Sequence, residues 1–162
     1  MEVRDKHSYT QDVDTLFKHF CDAEQVKTKH DALGARDINL VKFESTDSTL
    51  NVIIEREVPA DVPRAMKKFL GEWNHIKQVE NWSGTPGEGY QCDISIEING
   101  VPVTIAGNMK LAPEGSGCSN TVSLDISCGI PLVGKKLAEL VASQSKTSMR
   151  EEYEYIKSTL DQ

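Results

Sequence analysis

Apolar residues recur at alternate positions along most of the chain, and the period lengthens to that of a helix at only a few places. The clearest alternation runs through Tyr90, Cys92, Ile94, Ile96 and Ile98, with Gln91, Asp93, Ser95 and Glu97 between them. That is the pattern of a strand with one dry and one wet face. Asn99-Gly100 follows, a pair that readily supplies the two positive-φ positions of a tight hairpin. Val103, Ile105, Gly107, Met109 and Leu111 predict the next strand. Val122, Leu124 and Ile126 predict another after the turn at Gly115-Ser116-Gly117. Upstream, Ile38 and Leu40, then Leu50, Val52, Ile54, Arg56 and Val58, predict a hairpin that turns at Ser45-Thr46-Asp47-Ser48. Thr85-Pro86-Gly87 marks a turn after a strand over residues 72–83. Residues 2–10, where Val3, Asp5, His7 and Tyr9 share a face, predict an entering strand.

Four stretches carry a helical period. Asp12 can cap a helix in which Val13, Leu16, Phe17 and Phe20 form an apolar stripe, ending near Cys21. Val26, His30 and Leu33 predict a second helix from Ala23 to Leu33, stopped by Gly34. Asp61 can cap a short helix carrying Ala65, Met66, Phe69 and Leu70 before Gly71; the segment from Met66 to Leu70 either seals one end of the core or forms a lid. From Pro131, suited to a first helical turn, to Leu160 the stripe of Val133, Leu137, Leu140 and Val141 resumes at Met149, Tyr153, Ile156 and Leu160. This last helix would be about 45 Å long. The order is α+β: a seven-stranded antiparallel sheet with its helices gathered on one face, in one domain over residues 1–162.

Composition narrows the function. The net charge is −7 and the cations are dispersed, so the surface that nucleic-acid binding needs is missing. No stretch approaches the roughly 20 apolar residues of a membrane span. The alternating charges of Met1 to Lys6 lack a secretory signal and predict a cytoplasmic protein. Cys21, Cys92, Cys118 and Cys128 form no C-x-x-C pair, and Cys118 and Cys128 would stand about 33 Å apart along one strand, so reduced thiols are expected. No metal-ligand spacing, phosphate-binding glycine loop or nucleophile elbow occurs, so no metal and no cofactor is expected.

The opening Met1-Glu2-Val3-Arg4-Asp5-Lys6-His7-Ser8-Tyr9, the strand start Val101-Pro102-Val103, and Ile130-Pro131-Leu132-Val133-Gly134-Lys135-Lys136-Leu137 before the last helix resemble an uncharacterised bacterial family. That family lies within the START-like, Bet v 1-like (SRPBCC) superfamily. The resemblance implies a helix-grip fold over nearly the whole chain, in which a curved sheet wraps the C-terminal helix and leaves a cavity between them. Members of the superfamily bind lipids, sterols, polyketides and plant hormones, while others are cyclases, hydrolases or chaperone partners. The first expectation is therefore binding or transport of a hydrophobic small molecule, such as a lipid, an isoprenoid or a polyketide-like aromatic. The alternatives are an enzyme of the polyketide cyclase/dehydratase or hydrolase type, and a protein-interaction module. The matching motifs are architectural and assign no catalytic residue.

Candidate ligand contacts follow from the expected cavity. On the last helix, the face of Leu137 and Val141 continues through Gln144, Ser145 and Ser148, whose small polar side chains either leave space opposite the sheet or face solvent. An empty cavity of about 300 Å³ would cost roughly 7 kcal/mol, so a real one holds ligand or water, or partly collapses. The sheet residues expected to line it are Tyr90, Ile94, Ile105, Met109 and Leu124. Met109 offers an adaptable thioether, and Tyr90 one polar contact on an apolar body.

Among titratable groups, His19 and His30 fall on expected surface helices, while His7 and His75 lie on strands and could reach the cavity. Asp5 could orient His7 as a base or bridge to it at the sheet rim. Arg56 is either a buried cation facing a ligand carboxylate or a side chain that snorkels out at the strand end. Trp73, His75 and Trp82 have conflicting parity, which leaves open a bulge or an exposed Trp.

Overall fold

The computed structural model describes residues 1–60, 64 and 67–162, apart from the side chains of Phe69 and Leu70. The strands are β1 (Glu2–Tyr9), β2 (Arg36–Ser45), β3 (Thr49–Pro59), β4 (Trp73–Thr85), β5 (Gly89–Ile98), β6 (Val103–Glu114) and β7 (Gly117–Cys128). The helices are α1 (Val13–Phe20), α2 (Ala23–Ala32), α3 (Lys67–Leu70) and α4 (Gly134–Leu160). The strands form one antiparallel sheet in the order β1-β7-β6-β5-β4-β3-β2, so the first strand pairs with the last and the edges are β1 and β2. The expected α+β helix-grip architecture is present: seven strands, two short helices after β1 and a long C-terminal helix. The expected short helix after β3 coincides with α3 at its end; Asp61, Ala65 and Met66 lie outside the described residues.

Strand pairing sorts the inward side chains into rows. One row runs Leu50, Trp82, Cys92, Met109, Val122 and Asp5; the next Val52, Glu80, Ile94, Gly107, Leu124 and Val3. The third contains Ile54, Gln78, Ile96, Ile105 and Ile126, and the last Arg56, Ile76 and Ile98. Because pairing is unbroken along β4 against both neighbours, no bulge occurs there. Trp82 therefore points inward and is 2% exposed, while Trp73 points outward with the Arg36 guanidinium 3.7 Å from its ring centre. His75 shares that outer face beside Glu55 at 3.4 Å, so the expectation that it reaches the interior is corrected by simple strand alternation.

Helix starts follow local chemistry. The Asp12 carboxylate accepts from the Thr15 amide at 2.8 Å, and Asp22 accepts from the amides of Glu24 and Gln25. The start of α4 differs from expectation. Pro131 lies in a turn, not in the helix, because Leu132 adopts a φ of 71° and no side chain caps the first turn. Gly134 opens the helix against the Cys128 carbonyl oxygen, which would stand 2.8 Å from an added Cβ.

Along α4, Leu137, Val141 and Ile156 are buried, and the helix packs on β7, β1 and α2. Its far half is tied to β1: Tyr153 stacks on His7 with ring centres 4.5 Å apart and donates its hydroxyl to the Ser8 carbonyl at 2.7 Å. Helix α1 is seated by Phe17, which stacks on Tyr90 at 3.8 Å.

Gly107 is the point on the inward face where backbones approach most tightly. An added Cβ would overlap the Ser123 carbonyl oxygen and come within 2.9 Å of the Leu124 Cα. Gly107→Ala is therefore expected to destabilise the protein by about 1–3 kcal/mol, as overpacking does, lowering Tm by several degrees in a thermal unfolding scan. Gly129→Ala, which meets open space, should stay within about 0.5 kcal/mol of the parent and serves as the control.

Candidate functional site

Of the expected wall residues, Tyr90, Ile94, Ile105 and Leu124 are buried on the inward face, and Met109 is part-exposed. Leu137 and Val141 are buried on α4, Gln144 and Ser145 are half-exposed, and Ser148 is exposed. The Tyr90 hydroxyl is already engaged, donating to Asp14 at 2.7 Å, and burial together with that carboxylate raises its pKa. This phenol holds α1 to the sheet. Met109 lies beside Asn120, whose amide nitrogen is 3.9 Å from the thioether.

Helix α4 rests on the β1–β7 side of the sheet and leaves part of the inward face uncovered. Val58, Ile76, Ile96 and Ile98 point inward by register yet remain part-exposed, as does Met109. Ile76 and Ile98 share the Arg56 row, Val58 and Ile96 flank it, and Met109 lies two rows from Ile96 beyond the buried Ile94.

Next to this surface lies a polar cluster drawn from α2, β3, β4 and α4. The Arg56 side chain does not snorkel out: it is enclosed, its Nη2 donates to Gln78 Oε1 at 3.0 Å, and its Nη1 is buried without a partner. Gln78 Nε2 donates in turn to Glu80, whose other oxygen accepts from Trp82 Nε1 at 2.9 Å. Burial lowers the Arg56 pKa, with the charges of Glu152 and Glu80 opposing. On the helical side, Lys29 Nζ meets Glu152 Oε1 at 2.6 Å.

Burial tends to raise the Glu152 pKa, but the Lys29 charge and hydrogen bond, with the Arg56 charge, outweigh it and hold the carboxyl down to about 2. Glu152 is hemmed in by these groups yet keeps 40% of its side-chain surface accessible.

His30, expected on a solvated helix face, is only 6% exposed. Burial, reinforced by the Lys29 and Arg56 charges, pushes its pKa down to about 2, so it is neutral near pH 7. His7 is equally buried, 3.2 Å from Asp5 and stacked on Tyr153, an arrangement that joins β1 to α4. Burial tends to raise the Asp5 pKa, while the Lys6 amide and His7 lower it, and the lowering wins.

Sequence reasoning names Arg56 and misses Gln78, Glu80, Glu152, Lys29 and the true setting of His30. For Gln78 and Glu80 a signal exists: once Trp82 points inward, alternation carries both polar residues onto the dry face. No local pattern signals the residues from α2 and α4. Among the described residues no group of His, Cys, Asp and Glu side chains could hold a metal ion, and no helix is long and apolar enough to cross a membrane.

The cluster has a pH signature. His30 stays unprotonated in the folded state below about pH 6.5, where the unfolded chain binds a proton, so stability should fall as pH drops below 6.5. The limiting slope is about 1.4 kcal/mol per pH unit for one proton. Glu152 adds stability that is complete above about pH 4.5 and is lost as pH falls from there towards 2. Urea midpoints measured from pH 7.5 to 5 should decline, and His30→Gln should flatten that decline while leaving the region below pH 4.5 steep.

The structure resembles solved proteins of low sequence identity. The protein TTHA0849 from Thermus thermophilus is 14% identical, with 98% of this chain and 99% of that one covered and a TM-score of 0.61. Ara h 8.0201 is 13% identical over 98% of both chains, with a TM-score of 0.59. Dicamba monooxygenase, solved with 3,6-dichlorosalicylic acid, is 14% identical over 98% of this chain and 48% of its own, with a TM-score of 0.52. These likenesses show the Bet v 1-like, helix-grip fold. Among curated proteins none matches the sequence. Residues 5–160 match the family described as a protein of unknown function, DUF2505, and the chain belongs to that family.

Proposed function

We propose that this protein binds a hydrophobic small molecule, of lipid, isoprenoid or polyketide-like size, in the hollow between the sheet and α4. The observation that carries the reading is the set of inward-facing but part-exposed apolar side chains, Val58, Ile76, Ile96, Ile98 and Met109. An apolar surface that the protein's own helices leave accessible gains about 25 cal/mol for each Å² a ligand covers. The polar cluster beside it supplies the few oriented groups that fix a ligand's position. Among the residues expected to line the hollow, Met109 and Ile94 of the sheet and Gln144 and Ser145 of α4 are the contacts proposed, Ile105, Leu124, Leu137 and Val141 forming their support.

The reading is of a binding or carrier protein working as a single domain. His7, the histidine that alternation turns inward on the sheet, is held between Asp5 and Tyr153 and so is not free to meet a substrate as a base. The four free cysteines support a reducing, cytoplasmic setting.

The test is native mass spectrometry of protein purified from its own host. A stoichiometric apolar molecule should accompany the wild type, and Ile96→Trp, which fills the hollow, should lose most of it. A wild-type protein that carries nothing and leaves lipid and aromatic libraries unbound would overturn the proposal.

A further inference from the structure

Among the described residues, three buried side-chain polar atoms lack a hydrogen-bond partner: Gln11 Oε1, Asn120 Oδ1 and Arg56 Nη1. Only Arg56 Nη1 is a donor, and it belongs to the inward row that also holds Ile76 and Ile98. An enclosed guanidinium N–H without an acceptor is costly, more so because it is charged. In this arrangement its neighbours are turned to other donors: Gln78 Oε1 accepts from Nη2, and the Glu80 oxygens accept from Gln78 and Trp82.

The charges of the cluster are already balanced. Lys29 and Arg56 contribute two positive charges, Glu80 and Glu152 two negative ones, and His30 is neutral. A ligand carboxylate would leave this enclosed group with one net negative charge beside two carboxylates. A ligand amine would add a donor where a donor is already unmatched. A hydroxyl would accept from Nη1 but bring a proton of its own that needs a further acceptor. A carbonyl oxygen accepts and demands nothing more.

Resting on the binding reading above, we infer that the ligand is uncharged and places a ketone, ester or amide carbonyl oxygen against Arg56 Nη1, with its apolar body over Ile76, Ile96 and Ile98. The carboxylate ligand that the sequence suggested for Arg56 is thereby replaced by a neutral acceptor.

Three naphthalene probes of nearly one shape test this. Prodan is a neutral naphthyl ketone whose emission moves to the red when its carbonyl accepts a hydrogen bond. Dimethylaminonaphthalene lacks the carbonyl, and the corresponding dimethylamino naphthoic acid is an anion. Wild-type protein should bind prodan about tenfold tighter than the carbonyl-free probe and tighter than the acid, with hydrogen-bonded emission. Arg56→Met, checked for folding by thermal unfolding, should lose the preference and shift bound prodan to the blue. Should Arg56→Met not fold, Arg56→Leu, which also lacks a donor, replaces it with the same expected losses. Equal affinity for prodan and the carbonyl-free probe would overturn the inference while leaving the apolar hollow standing. Tightest binding of the acid, or a preference that survives loss of Arg56, would overturn it as well. Failure of all three probes to bind would overturn the hollow and the inference together.

Discussion

A sheet of seven strands presents more dry surface than one helix can cover. With strands about 4.8 Å apart, its inward face is roughly 30 Å wide, whereas a helix with its side chains is about 10–12 Å across. Here α4 takes the β1–β7 side, and α1 takes the end marked by Tyr90 and Trp82. The row of Ile76 and Ile98 with its neighbour Ile96 falls to neither, and it is there that the inward face stays part-exposed. The part-exposed stretch of the inward face is thus a consequence of sheet width and helix placement, not of any unusual residue.

The charged cluster stands at the boundary of that uncovered region. Moving ions out of water is expensive, and an apolar replacement of the same volume often stabilises a protein at least as well. Packing alone therefore gives little reason for Arg56, Glu80, Lys29 and Glu152 to be there. Their arrangement, with a partnerless N–H on Arg56, is what the proposed binding role draws on. His30 fits the same account, because a neutral ring lets the two cations sit near it without adding a third charge.

Helix α4 is held unevenly. Its second half is fastened by Tyr153 to β1 and by Glu152 to α2. Its first turn follows the strained Leu132, whose side chain is wholly exposed, and has no side-chain cap. The firmly held half is the one that carries a member of the polar cluster, so the geometry around Arg56 is set by the best-anchored part of the helix.

Local patterning alone was enough to read the order of elements, the places of the turns at Asn99-Gly100 and Gly115-Gly117, and the inward set on β5, β6 and β7. Each of these is written in a period of two or in a turn dipeptide, which are local properties of the chain. The expected positive φ at both Asn99 and Gly100, however, is found at Gly100 alone, and β6 starts only at Val103. Alternation also placed Arg56 on the inward face, but not its environment. The facing of Trp73, His75 and Trp82 needed the unbroken pairing of β4 with both neighbours. The meeting of Lys29 with Glu152 joins positions 123 residues apart. Such contacts are fixed only when whole helices come to rest on the sheet, because alternation along a strand records which side a residue faces but not what it meets there.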